Sequence, residues 1–127
     1  MVRIFKNKWF NRFCKKQKIT NKMLIDMVKE IKSGQIDTDY GSSVIKQRLA
    51  RKNQGKSGGY RCIILYRIQD KVFMVYGFAK KDKDNIEDDE VLGFKALAEE
   101  MLNLTDESLN KLIELKALIE VKYDDKS

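Results

Sequence analysis

The chain contains no histidine and no proline, and only two of its 127 residues are cysteine. Without histidine, and with Cys14 and Cys62 far apart in no CxxC pattern, no zinc site or other metal is expected. A cysteine nucleophile would lack the basic partner that ionises a thiol, so both cysteines read as buried and reduced. No apolar run approaches the roughly 18 residues of a membrane span. The first residues, Met-Val-Arg-Ile-Phe-Lys, carry charge but no apolar core or cleavage site of a secretory signal. The expectation is a cytoplasmic protein, with no membrane partner and no cofactor. The missing prolines leave every candidate strand uninterrupted.

Acid is also missing, but only locally. No Asp or Glu lies between Asp39 and Asp70, while Lys46, Arg48, Arg51, Lys52, Lys56, Arg61 and Arg67 fall inside that stretch. The overall charge of +7 hides a division: residues 1–81 carry 20 Lys/Arg against 5 Asp/Glu, and residues 82–127 carry 6 against 14. A soluble surface ordinarily intersperses the two signs. A field of one sign points to an anionic partner: RNA, DNA, an anionic membrane or an acidic protein. No basic amphipathic helix carries the charge, which argues against a membrane surface.

Periodicity gives the elements. Residues 2–5 read as a short strand, and Asn7 caps a helix over about 8–16 with Trp9, Phe10, Phe13 and Cys14 on one side. Thr20 caps a second helix to Ser33, and Gly34 ends it. Residues 44–51 alternate, with Ile45, Gln47 and Leu49 on one face and Lys46 and Arg48 on the other. A flexible loop over 52–59 leads to strands at Tyr60–Arg67 and Val72–Ala79, which together form an antiparallel meander. A helix beginning near residues 85–88 carries Val91, Phe94, Leu97, Ala98, Met101 and Leu102 as a stripe. A last helix, capped by Thr105, is expected to run to about Val121. Its apolar positions spread beyond one stripe, which suits burial on several sides or a partner. The fold class is therefore α+β: an antiparallel meander packed against an N-terminal helical hairpin, one domain over 1–127, with residues 82–127 as an acidic C-terminal helical extension.

The candidate chemistry lies in the cations. Lys46 and Arg48 share a strand face, and Arg61 shares a face with Ile63, Leu65 and Arg67 on the next strand. Pairing of these strands would bring three cations together, with Lys56 in the loop above and Lys80 and Lys81 at the end of the third strand. Like charges so placed repel unless an anion neutralises them, and such costly placement is more often functional than structural. Gly55-Lys56-Ser57-Gly58-Gly59 lacks the spacing and the strand-to-helix context of a nucleotide-binding P-loop.

Four segments carry a family resemblance: Lys8-Trp9-Phe10-Asn11-Arg12-Phe13, Val44-Ile45-Lys46-Gln47-Arg48, Gly55-Lys56-Ser57-Gly58-Gly59-Tyr60-Arg61, and Tyr76-Gly77-Phe78-Ala79-Lys80-Lys81 followed by Asp84-Asn85-Ile86. Over residues 1–102 the chain resembles the RelE/ParE superfamily of type II toxin–antitoxin toxins, and within it the HigB-like RelE branch. The resemblance implies a ribosome-dependent mRNA interferase that works without metal and is neutralised by a cognate antitoxin. It assigns the catalytic positions to Lys46, Arg48, Arg61, Lys80 and Lys81 and matches Lys56 to a loop lysine of the closer branch; Arg51, Lys52, Lys56, Tyr60 and Arg67 are the expected RNA contacts. Toxins closest to RelE place a tyrosine just after the last basic pair to stack on a base. Ile86 and Glu87 stand there instead, leaving Tyr60 or Tyr76 as substitutes.

Cleaving RNA internally needs a base for the 2′-OH, charge stabilisation at phosphorus and a proton for the 5′-oxygen. With no histidine, Lys46 is the expected base, its proton affinity lowered by neighbouring cations. Arg48 and Arg61 would clamp the phosphate, and Lys56 or Lys80 would assist the leaving group. Two other readings stay open: a ParE-like inhibitor of DNA gyrase, and a basic RNA-binding module without catalysis. The acidic segment is expected either to pack back on the basic body or to join an antitoxin or a second copy through its helices.

Overall fold

The computed structural model describes residues 2–51, 55–67, 70–83 and 85–123, apart from the side chains of residues 51 and 55–58. β1 (Arg3–Asn7) runs directly into α1 (Lys8–Gln17), because the Asn7 side chain accepts the Phe10 N–H at 2.7 Å and starts the helix. α2 (Asn21–Lys32) is capped by Thr20 and closed by Gly34 at φ +88°. Then come β2 (Thr38–Gly41), β3 (Val44–Arg51), β4 (Gly55–Arg67) and β5 (Lys71–Ala79), followed by α3 (Asp88–Met101), α4 (Asp106–Glu114) and β6 (Leu118–Val121). No helix among the described residues is long and apolar enough to cross a membrane.

The six strands form one sheet in the order β2-β3-β4-β5-β1-β6. β2 to β5 are an antiparallel meander, β1 lies parallel to β5, and β6 lies antiparallel to β1. Alternation along the strands divides the core into two layers. Ile4, Ile45, Leu49, Cys62, Ile64 and Met74 face α1 and α2, while Phe5, Val44, Ile63, Leu65 and Phe73 face α3 and α4. The α+β class and the helical hairpin on the sheet are as expected from sequence.

Three expectations are corrected. The last helix ends at Glu114 rather than near Val121, because Lys116 turns the chain at φ +62°. Leu118–Val121 then joins the sheet edge beside β1. The acidic extension is therefore not wholly helical: α3 and α4 cover the second face of the sheet, and Leu109, Leu118 and Val121 are buried. Leu112 and Ile113 pack partly buried against the same layer, which accounts for much of the spread of apolar positions, while Leu115 stays exposed. Second, the flexible loop expected over 52–59 is shorter. β4 begins at Gly55, which pairs with Arg51, since ladder hydrogen bonds come from the backbone and need no side chain. Third, β2 adds an edge strand that no periodicity announced.

The first and last strands thus meet in the sheet. Arg3 fastens them with a fork to Glu120, Nε to Oε2 and Nη2 to Oε1, each 3.0 Å. Leu109 is fully buried between α4 and the sheet, so Leu109→Ala should cost about 2–5 kcal/mol by urea unfolding. A loss below about 1 kcal/mol would show that α4 is not part of the core.

Candidate functional site

The sheet register brings the predicted cations together. Arg48 of β3 lies directly opposite Arg61 of β4, and Lys46 lies opposite Ile63. Directly opposed residues have Cβ atoms about 4.5–5.5 Å apart, so two guanidinium stems share one cross-strand pair. Lys46, Arg48 and Arg61 all project on the α3 side of the sheet, alongside Val44 and Ile63. The turn after β5 adds Lys80, held by its N–H to Gly59 O at 3.0 Å, and exposed Lys81 beside it.

Folding also brings in groups that the sequence stretch lacks. Asp37 accepts Arg48 Nε at 2.9 Å, with the carboxylate only 14 % exposed and the Arg48 side chain 51 % exposed. The loop carrying Asp37 is fixed by buried Gln47, whose Oε1 accepts the Asp37 N–H and whose Nε2 donates to Gln35 O, both at 2.9 Å. Asn85, just before α3, accepts Lys46 Nζ at 3.2 Å, the Tyr40 hydroxyl at 3.1 Å and the Ile86 N–H at 2.9 Å on one oxygen. Ile86 is buried and anchors this segment, and the Glu87 N–H donates to Glu90 at 2.8 Å to begin the helix.

Lys46 is held below the usual lysine range. Burial is the largest cause; Asp37 opposes it, and Arg61, Lys80 and Arg48 push in the same direction as burial. The expected lowering is therefore present, with burial ahead of cation crowding.

Arg61 is 3 % exposed, and its Nη1 donates to Tyr60 O at 3.3 Å. In this conformation it supplies charge from beneath the surface rather than a direct phosphate contact. Tyr60 does not belong to the cluster. Strand alternation turns it to the opposite face, where it is 4 % exposed, meets Phe13 edge-on and donates its hydroxyl to Gln17 at 3.2 Å. Base stacking on Tyr60 is excluded in this arrangement. Tyr76 lies on the cation side but is packed among Trp9, Phe78 and Phe94, with ring centroids 4.7 to 6.1 Å away. Arg67 is on the expected face at the far end of β4, roughly 20 Å from Arg61 at the usual strand rise. It donates to Leu102 O at 2.8 Å at the C-terminal end of α3, where cations are favoured. That contact ties it to the end of α3, away from the Lys46 cluster. The side chains of Arg51 and Lys56, and the whole of Lys52, lie outside the described residues.

Sequence reasoning missed Asp37, Asn85 and Tyr40. Only Asn85 left a trace, as part of the Asp84-Asn85-Ile86 segment after the basic pair. A cavity of about 300 Å³ beside Arg48 is lined by Glu30 and Asp37 as well as Gln47, so its acids make it a poor seat for a phosphate. The cation face remains the site to explain.

The comparison with known families decides what kind of protein this is. The family described as RelE toxin of the RelE/RelB toxin–antitoxin system matches residues 2–121. The chain belongs to the RelE toxin family. Searches of curated proteins and of solved structures give no match. The match extends through β6, beyond the 1–102 span suggested by sequence resemblance, in keeping with α4 and β6 being parts of the fold. This RelE-family chain is thus a toxin of a toxin–antitoxin system, a class whose members pair with an antitoxin.

Asp37 is the group that opposes the lowering of Lys46. The substitution Asp37→Asn should therefore lower the proton affinity of Lys46 further, as read by lysine side-chain NMR titration. An unchanged or raised Lys46 titration would contradict the electrostatic account.

Proposed function

We propose that this RelE-family toxin is a metal-independent endoribonuclease that cleaves mRNA on the translating ribosome, in the cytoplasm. The single observation that carries this reading is the Lys46–Arg48–Arg61 cluster, in which one sheet face sets a lysine of lowered proton affinity among cations. Lys46 takes the 2′-OH proton, and the 2′-oxygen attacks phosphorus. Half-exposed Arg48 contacts the phosphate, while Arg61 and Lys80 stabilise the growing negative charge by proximity. The products carry a 2′,3′-cyclic phosphate and a 5′-hydroxyl.

Ribosome dependence follows from what the face lacks. Among the described residues it offers cations but few groups that read a base, so a fixed codon would supply the orientation. Lys81, beside Lys80, extends the basic field along which the mRNA backbone would run. The antitoxin would neutralise the toxin by covering this field. A gyrase inhibitor would not require a lysine of lowered proton affinity, and a passive RNA-binding module would not require it either.

On ribosomes programmed with a defined mRNA, Lys46→Ala should slow single-turnover cleavage about 10²–10⁴-fold, the range for loss of a proton-transfer group. Wild-type rates from this variant, with the wild-type protein active, would remove Lys46 as the base.

A further inference from the structure

The 5′-oxygen leaves as an alkoxide unless it is protonated, so a base at Lys46 calls for an acid on the other side of the phosphorus. Tyr40 is the one hydroxyl among the described residues that shares a hydrogen-bond acceptor with Lys46. Its O–H and Lys46 Nζ both donate to Asn85 Oδ1, at 3.1 and 3.2 Å. Two donors on one oxygen must lie close to each other, so base and hydroxyl flank a common point above the sheet.

The backbone places Tyr40 there by a specific device. Thr38 is opposite Lys46 and Asp39 opposite Ile45, but Gly41, not Tyr40, is opposite Val44. Tyr40 is therefore the extra residue of a β-bulge. Bulges bend an edge strand and re-aim a side chain, and they are frequent beside active sites. The turn that follows holds Gly41, Ser42 and Ser43 at φ +84°, +53° and +68°, so the bulge is maintained against non-glycine strain at both serines. The Tyr40 ring packs partly buried beside the α3 core layer and leaves the hydroxyl as its polar end.

We propose that Tyr40 is the general acid of RNA cleavage and that Asn85 is the positioning residue that aligns it with Lys46. The assignment rests on the nuclease reading given above. In the reaction, the 2′-OH proton passes to Lys46 Nζ, the 2′-oxygen bonds to phosphorus, and the bond from phosphorus to the 5′-oxygen breaks. The Tyr40 hydroxyl proton passes to that leaving oxygen. The phenolate then regains a proton from the Lys46 ammonium through solvent, which restores both groups with no other reactant. Burial and Asp37 both raise the Tyr40 hydroxyl above its ordinary value, so it holds its proton at neutral pH until a strongly basic alkoxide forms. Arg48, Arg61 and Lys80 act on the same group of side chains, Asp39 accepts the Gly41 N–H at 2.8 Å within the bulge, and Lys95 of α3 brings its Nζ to 3.9 Å from where a Cβ on Gly41 would sit.

The discriminating experiment compares two mRNAs on programmed ribosomes, one natural and one with sulfur replacing the bridging 5′-oxygen at the cleavage site. A thiolate leaves without protonation, so loss of the acid should not matter for the sulfur substrate. Tyr40→Phe should cleave the natural mRNA about 10²–10⁴-fold more slowly than wild type. It should cleave the sulfur-substituted mRNA at nearly the wild-type rate. Lys46→Ala should remain slow on both, because the attacking 2′-OH still needs its base. Equal slowing of Tyr40→Phe on both substrates would overturn the acid assignment and reduce Tyr40 to a packing role, with the nuclease reading intact. Wild-type rates from Tyr40→Phe on the natural mRNA would overturn it as well. Failure of the wild-type protein to cleave either mRNA would overturn both the assignment and the nuclease reading beneath it.

Discussion

Everything at the site depends on the repulsion built into one cross-strand pair. Setting Arg48 opposite Arg61 opposes two cations on one face, a placement that costs stability in a sheet. The protein offsets part of that cost without removing it. Asp37 holds one arginine, and the hydrogen-bond acceptor of Lys46 is the neutral amide of Asn85 rather than an acid. The outcome is a field that still seeks an anion, and a lysine whose proton affinity is lowered by burial first and by these cations second. A carboxylate on Lys46 would have stabilised the fold and spoiled the base, since an adjacent opposite charge favours the protonated form.

The sheet can sustain such a face because its apolar ends are covered elsewhere. α1 and α2 close one side. α3 and α4 cover the Val44, Leu65 and Phe73 region of the other, leaving the Lys46 and Arg48 end open at the start of α3. β6 completes the arrangement by pairing with β1 and tying residue 121 to the first strand. The acidic C-terminal part is therefore scaffold for the basic site, and its surplus of acids supplies local anchors. Asp106 and Glu120 meet Arg3, and Glu90 receives Lys83.

The readable parts of this molecule are those set by local rules. Asn7 and Thr20 announce two helix starts, period-two alternation assigns the faces of β3 and β4, and the acid-free stretch marks the cation face. The same alternation excludes Tyr60 from the site, because adjacent strand residues point to opposite sides and Arg61 occupies the cation face. The end of α4 is hidden because its left-handed residue is Lys116 rather than glycine, and Leu118 and Ile119 continue a plausible helical pattern. β2 is hidden by its four-residue length and by Ser42-Ser43, which adopt positive φ without the Asn-Gly signature of such turns. Asp37 meets Arg48 from 11 positions away, and Asn85 joins Tyr40 to Lys46 from 45 and 39, so no local pattern encodes those meetings. Arg67 illustrates the opposite difficulty. Its face is legible in the sequence, but its capture by the carbonyl of Leu102 is not.

The central claim is that this cation face breaks mRNA by internal attack of the 2′-oxygen. Mapping the ends of mRNA after brief induction of the chain in growing bacteria, beside an Arg61→Ala control, tests it directly. The account predicts new breaks inside translated reading frames, with 2′,3′-cyclic or 3′-phosphate ends upstream and 5′-hydroxyl ends downstream, and their loss or strong reduction in the control. Breaks ending in 3′-hydroxyl groups, or growth arrest with intact mRNA and damaged DNA, would contradict it.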